Sequence, residues 1–129
     1  MEIEIRFPGG AQVDAVMDGL VVTTNQDGTA PAPFGLFLAS IGTCAGIYVL
    51  SFCKQRGLPT HDLRIVQRME YNPLTRMVER IELEIQLPPD FPERYKEAVI
   101  RAADQCAVKK HLEHPPQFVV YTSTAQAAS

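Results

Sequence analysis

Two cysteines are the residues of this chain best suited to chemistry. Cys44 lies within twenty consecutive uncharged residues, 34–53, and Cys106 lies in a second helix-like segment far along the chain. If folding brings the two thiols together, they can cycle between a dithiol and a disulfide. A free cysteine is also a small apolar side chain that is often buried for packing alone. The sequence therefore leaves two interpretations of Cys44 open, thiol chemistry and core packing.

Other groups that could do chemistry have simpler interpretations. Cys53, near the end of the same uncharged segment, is predicted to pack in the core. Cys106, His111 and His114 are three potential metal ligands. Their spacing fits no common zinc pattern, and a structural zinc site needs four ligands. We therefore predict that the chain has no metal site.

Length and composition restrict the class of protein. The chain has 129 residues, 46% of them apolar, which is enough for one domain with a core. Its net charge is −3 and it has no basic stripe, so we expect no nucleic-acid partner. Its three cysteines and its alternating start, MEIEIRF, indicate neither a disulfide scaffold nor a signal peptide. These features predict a protein of the reducing cytoplasm.

The uncharged segment is long enough to span a bilayer. Gly42 and Gly46 even have the spacing of a transmembrane packing motif. However, the segment contains Ser40, Thr43 and Ser51, and the residues before it offer no basic or aromatic anchor. We therefore predict a helix buried on all sides by protein, and no membrane partner. Such a helix is about 30 Å long, and because one small chain can hardly surround it, a dimer is expected.

Hydrophobic periodicity predicts an α+β fold in a single domain, 1–129, with the element order βββ-α-ββ-α-β around a long buried central helix. That helix begins at Pro33 and ends near Gly57. A second helix over 92–106 would place Cys106 on its apolar stripe, facing the central helix. A short helical end over 111–116 and a frayed tail, 125–129, complete the prediction. The predicted strands are 2–7, 12–17, 20–24, 63–71, 78–87 and 118–124.

These residues together resemble the OsmC/Ohr family of osmotically inducible and organic-hydroperoxide-resistance proteins. Pro33 is followed eleven positions later by Cys44, in PFGLFLASIGTC, and the helix exit reads KQRGLP. The second match is DQCAV around Cys106, with HLEHPP after it. The element order also matches. The resemblance implies an intertwined homodimer in which sheets from both subunits wrap two long central helices.

The resemblance also implies a thiol peroxidase that uses no metal, flavin or other cofactor. Cys44 would attack the peroxide oxygen of an organic hydroperoxide and become a sulfenic acid. Cys106 would condense with it to form a disulfide, which a small or protein dithiol would reduce. The attacking sulfur must be a thiolate for this chemistry. Cys44 and Cys106 are therefore the predicted catalytic residues.

The chain departs from the family at the residues that activate the thiol. Family peroxidases carry an Arg in the N-terminal strand region and a Glu soon after the helix-opening proline. Here Phe34 and Gly35 follow Pro33, and Arg6 is the nearest arginine to the expected position. An unassisted thiol is only a few per cent thiolate at neutral pH, so we expect slow peroxide reduction. The alternative is a non-catalytic dimer that binds a small hydrophobic ligand in an apolar pocket beside Cys44.

Overall fold

A computed structural model describes residues 1–124 and has the predicted α+β class and strand–helix–strand order. Along the chain, one antiparallel sheet precedes the long helix, a second follows it, and two short helices come after the second sheet. A single 3-10 turn, Glu93–Tyr95, leads into the first of these short helices. The elements are β1 (Glu4–Gly9), β2 (Gln12–Met17), β3 (Leu20–Asn25), α1 (Pro33–Gln55), β4 (Arg64–Asn72), β5 (Met77–Gln86), α2 (Lys96–Ala103) and α3 (Ala107–Glu113).

The N-terminal sheet is a meander in which β2 lies between β1 and β3. Asp18 and Gly19 both have positive φ, 48° and 77°, as the tight turn between β2 and β3 requires. The register aligns Ile5 with Ala15 and Ala15 with Val22, so one face of the sheet is apolar. Ile5 remains 51% exposed. This apolar face is therefore left largely open within one chain.

Helix α1 has a clear start and stop in the sequence. Pro33 occupies its first turn, where a missing N–H costs nothing. At the other end Gly57 has φ 62°, and the N–H of Leu58 donates to the Cys53 carbonyl at 2.9 Å. The Gly57 N–H donates to the Lys54 carbonyl at 3.3 Å. These two bonds form a Schellman motif, which satisfies the last carbonyls and turns the chain towards β4.

The hydrophobic core lies where α1 meets α2 and the β4–β5 hairpin. Along β5, apolar residues turned to the core alternate with exposed glutamates, so the other face of the hairpin is solvated. The register of the hairpin continues from Arg64 opposite Gln86 to Asn72 opposite Met77. The core cluster consists of Ala45, Val49, Cys53, Phe91, Val99 and Ala103.

This core covers only one side of α1, so the prediction of a helix buried all round is not met within one chain. Phe34, Ile47 and Leu50 on the other sides are between 38% and 63% exposed. By length and composition alone α1 is also apolar enough to cross a membrane, which core helices of soluble proteins often are. These other faces of α1 are left exposed within residues 1–124.

The C-terminal third differs from the prediction in three places. The short helical end predicted over 111–116 is instead helix α3, at Ala107–Glu113. The predicted helix over 92–106 stops at Ala103, because Asp104 and Gln105 interrupt it, and Cys106 lies in an extended link before α3. The predicted strand over 118–124 is not formed: the segment has no ladder partner and its side chains are exposed. A strand needs a neighbour to pair its backbone groups, and periodicity cannot supply one. The tail 125–129 lies outside the described residues.

Candidate active site at Cys44 and Cys106

The structure brings Cys44 and Cys106 together. Cys44 lies half-buried near the middle of α1, and Cys106 is only 2% exposed in the link between α2 and α3. The Cys106 thiol lies 3.9 Å from the carbonyl oxygen of Ile41, one helical turn before Cys44. The two thiols are also close enough for each to shift the pKa of the other. The link between two short helices thus places the second thiol against the turn of α1 that carries the first.

The environment of Cys44 favours its thiolate. The main-chain N–H of Val108 lowers the pKa of Cys44 most, and the Cys106 thiol and the N–H of Ala107 lower it further. Partial burial opposes them but does not reverse the direction. The first N–H groups of a helix have no partner within the helix, so α3 begins with donors that can serve an anion. Of these two thiols, Cys44 is therefore the one whose thiolate is favoured.

The environment of Cys106 has the opposite effect. Burial raises the pKa of this thiol above its ordinary value, and the nearby Cys44 sulfur adds to the increase. The N–H of Lys109 works against burial without cancelling it. Two titratable groups whose environments push their pKa values apart take different roles in a reaction. Here the more acidic thiol suits attack, and the protonated thiol suits the later condensation.

Cys53 stands apart from this pair and packs in the core, as predicted. It follows Cys44 by nine residues, which places it on the opposite face of α1 and about 13 Å further along the axis. It is fully buried, and burial raises the pKa of its thiol. The same helix therefore carries one half-buried thiol beside Cys106 and one fully buried thiol in the core.

Sequence reasoning missed the groups that assist Cys44. Because the family's Arg and Glu are missing, the sequence predicts that nothing lowers the pKa of Cys44. In the structure, the main-chain N–H groups of Ala107 and Val108 lower that pKa. No side-chain motif records such donors. The one feature that could have pointed to these donors is the break in the helix at Asp104 and Gln105. This break makes Cys106 the N-cap residue of a new helix. Arg6 pairs with Glu4 on the exposed strand β1, at 3.1 Å.

The histidines near this region show no metal-binding arrangement. The ring of His111 has its Nδ1 2.7 Å from the carbonyl oxygen of Ala107, so that nitrogen carries the proton and donates. His111 and His114 are exposed, whereas Cys106 is buried. Within residues 1–124, no group of three His, Cys, Asp or Glu side chains is arranged to hold a metal ion.

The surface of α1 around Cys44 is apolar and partly aromatic. Phe37, Ile47 and Tyr48 fall at helical spacings that place them on the Cys44 side of α1. They are 39%, 63% and 37% exposed. The rings of Phe34 and Phe37 lie 5.6 Å apart. An organic molecule that approaches Cys44 from this side meets apolar and aromatic surface.

A groove of about 430 Å³ lies on the other side of α1, between this helix and β4. Gly46, which lines it, is two residues beyond Cys44 and is therefore rotated by about 200° around the helix axis. The groove does not open onto the thiol pair. The apolar pocket that the sequence predicts beside Cys44 is thus not this groove. Its lining residues on the helix are Ala39, Gly42, Thr43, Gly46, Val49 and Leu50.

Comparisons with solved structures show the fold. A hypothetical protein from Aquifex aeolicus VF5 is 20% identical, with a TM-score of 0.73 over 88% of this chain and 87% of that one. An OsmC like protein from Mycoplasma pneumoniae is 15% identical, with a TM-score of 0.68 over 88% and 87%. A Psychrobacter arcticus 273-4 protein, provisionally assigned to the osmotic stress induced and detoxification response proteins, is 15% identical, with a TM-score of 0.65 over 84% and 85%.

Comparison with protein families identifies the chain more directly. No curated protein matches it. The family described as OsmC-like protein matches residues 26–120, which include both thiols and every element from α1 to α3. This match covers well over half of the chain. The chain therefore belongs to the family of OsmC-like proteins.

Proposed function

We propose that this protein reduces organic hydroperoxides through a thiol–disulfide cycle of Cys44 and Cys106. The observation that carries the proposal is the contact of two thiols whose pKa values are shifted in opposite directions. Membership of the OsmC-like family supports it, as does the detoxification-response assignment of the Psychrobacter relative. The thiol cycle needs no metal, flavin or other cofactor.

The proposed reaction balances without further components. The Cys44 thiolate attacks the terminal oxygen of ROOH, the O–O bond breaks, and an alcohol leaves once its oxygen is protonated. Cys44 is then a sulfenic acid, and the Cys106 thiol displaces its hydroxyl as water to form the disulfide. An external dithiol exchanges with this disulfide and restores both thiols. Because burial keeps Cys106 protonated, it does not compete with Cys44 for the peroxide.

The substrate is proposed to be an organic hydroperoxide rather than hydrogen peroxide. Phe37, Ile47 and Tyr48 offer apolar surface on the Cys44 side of α1, which an alkyl or aryl group covers and hydrogen peroxide does not. Each methylene removed from water contributes about 0.8 kcal/mol to binding. A bulky hydroperoxide thus gains affinity at the surface where the sulfur lies.

The decisive test is cumene hydroperoxide consumption with a dithiol reductant. Wild type should turn over, Cys44→Ser should not, and Cys106→Ser should consume one equivalent and trap a sulfenic acid on Cys44. Cys53→Ala is the matched control and should keep the wild-type rate, because Cys53 lies on the opposite face of α1. Equal rates for wild type and Cys44→Ser would refute the thiol mechanism.

A second candidate function is binding of a small hydrophobic ligand without turnover. The groove of about 430 Å³ between α1 and β4 favours it, because its helix side is lined by small and aliphatic residues and its β4 side includes Leu63 and Ile65. Gly46→Leu would fill this groove without touching Cys44. Loss of binding of an apolar fluorescent probe in Gly46→Leu, with hydroperoxide consumption absent from wild type, would favour this function over the first.

We further propose that the active form is a homodimer in the cytoplasm. The open apolar face of the N-terminal sheet, the exposed sides of α1 that lie away from Cys44 and the exposed segment 118–121 are apolar surfaces left uncovered within residues 1–124. A second copy of the chain would cover them. Light scattering without detergent should give about twice 14.3 kDa. A stable monodisperse monomer would overturn the dimer while leaving the peroxidase test intact.

A further inference from the structure

Attack of Cys44 on a hydroperoxide leaves one requirement unmet by the thiol pair. When the O–O bond breaks, the departing oxygen becomes an alkoxide unless a proton reaches it. The Cys106 thiol and the N–H groups of Ala107 and Val108 act on the Cys44 sulfur and lower its pKa. These donors serve the nucleophile, on the side away from the departing oxygen, because the sulfur and the leaving group lie on opposite sides of the attacked oxygen.

Tyr48 is placed to supply that proton. It follows Cys44 by four residues on α1, so the two Cβ atoms are neighbours on one helix face, about 5–6 Å apart. Long helical side chains lean towards the helix N-terminus and cover the turn before their own Cα. The Tyr48 side chain therefore lies towards the turn of Cys44. It is 37% exposed, so its ring borders the surface from which a peroxide arrives.

The Tyr48 hydroxyl is also available. The hydroxyls of Ser40 and Thr43, near Cys44 on the same helix, donate to the helix's own carbonyls of Phe37 and Ala39, at 2.6 and 2.9 Å. The Tyr48 hydroxyl forms no hydrogen bond within the described part of the chain. No charged side chain occurs on α1 before Lys54. A phenol is a better proton donor than an aliphatic hydroxyl, and tyrosine serves as a general acid in other enzymes.

We propose that the Tyr48 phenol is a catalytic acid that protonates the departing alkoxide as Cys44 attacks, an inference that rests on the proposed peroxidase function. The S–O bond forms and the O–O bond breaks. The sulfur is oxidised to the sulfenic acid, and the peroxide is reduced to ROH with the phenol proton. Water then returns a proton to the tyrosinate. The open side of α1 gives water access to the phenol.

The test compares two oxidants that differ in their leaving group. Cumene hydroperoxide expels an alkoxide, which needs a proton, whereas peracetic acid expels a carboxylate, which does not. Tyr48→Phe removes the phenol oxygen and keeps the ring. The control is Tyr71→Phe, on exposed β4. The rate of Cys44 oxidation is measured by peptide mass spectrometry in a single turnover with each oxidant.

Tyr48→Phe should slow oxidation of Cys44 by cumene hydroperoxide at least about tenfold and leave oxidation by peracetic acid within about twofold of wild type. Tyr71→Phe should match wild type with both oxidants. An equal slowing with both oxidants, or no slowing with either, would overturn the acid role while the peroxidase function stands. If wild-type Cys44 reacts with neither oxidant, the proposed function itself fails, and this inference fails with it.

Discussion

Two positions on α1, 44 and 53, both carry cysteine, and the pKa values of the two thiols are shifted in opposite directions. Cys44 is half-buried and its thiolate is favoured by N–H groups at the start of α3, whereas Cys53 is fully buried and its thiol is kept neutral. The local sequence does not explain this difference, because it is Cys53 and not Cys44 that has a basic neighbour on the helix, Lys54. What differs is the element that packs beside each cysteine: the free donors of a helix start beside Cys44, and aliphatic and aromatic side chains beside Cys53. The direction in which each thiol pKa shifts is thus set by the neighbouring element.

The largest effect that separates the two positions is loss of turnover. Cys44→Ala should reduce hydroperoxide consumption to the uncatalysed rate and change stability little, because the side chain is half-buried. Cys53→Ala should keep consumption but lower the free energy of unfolding by about 1–2 kcal/mol, because it leaves a small cavity. Urea denaturation and a consumption assay on both variants measure the two effects. Reversed results would make Cys53 the reactive thiol.

The second prediction concerns the pH at which each thiol reacts. Because the pKa of Cys44 is lowered and those of Cys106 and Cys53 are raised, iodoacetamide should alkylate Cys44 first as pH rises through neutrality. Cys106 and Cys53 should react only above the ordinary thiol range of about 8.5. Mass spectrometry of each cysteine peptide across a pH series gives the order. Alkylation of all three cysteines over the same pH range would show that folding does not separate their pKa values.

These pKa shifts also give stability a pH dependence. The contacts that favour the Cys44 thiolate stabilise the fold above the ordinary thiol pKa, and that contribution is lost as pH falls through the lowered pKa. The contribution of neutral Cys106 and Cys53 is complete below the ordinary pKa and is lost as pH rises through their raised values. The free energy of unfolding should therefore decline more steeply above pH about 8.5 in wild type than in Cys53→Ala.

The third prediction removes the donor itself. Replacing the amide before residue 108 with an ester deletes the Val108 N–H and leaves every side chain in place. The pKa of Cys44 should rise, and its alkylation rate at neutral pH should fall several-fold. The same replacement at Lys109 is the matched control, because that N–H serves Cys106. If only the Lys109 ester slowed Cys44, the assignment of the two donors would be reversed.

The smallest effect is expected where α1 meets β4. A Cβ at Gly42 would collide with the side-chain oxygen of Gln67, whose amide donates to the Leu38 carbonyl at 2.9 Å. Gly42→Ala should gain up to about 1 kcal/mol of helix propensity and lose a similar amount as Gln67 moves away. Its net change in unfolding free energy should be near zero. The gain should appear when Gly42→Ala is made in a Gln67→Ala background, and equal changes in both backgrounds would show no close contact.

The sequence predicts those parts of the fold that have local causes. Strand β2 has its predicted bounds, and Pro33 and Gly57 mark the ends of α1 because proline and glycine act on their own backbone. The predicted helix over 92–106 is shorter in the structure because Asp104 and Gln105, which are not typical helix breakers, interrupt it. The predicted strand over 118–124 is not formed because a strand depends on a pairing partner. For the site, spacing and resemblance singled out Cys44 and Cys106, which the structure places close together. Their catalytic role stays a prediction. The N–H donors of α3 could not be predicted, since every residue carries one.

Activation by main-chain donors has a consequence for mutational surveys of this protein. Alanine substitution at Val108 or Lys109 leaves the N–H in place, so it would report these positions as dispensable even if they set the reactivity of Cys44. Natural variation at the same positions should be tolerated for the same reason, provided that α3 still begins after Cys106. Genetic screens would detect the role of these N–H groups only through insertions, deletions or prolines that shift the residue at which α3 begins.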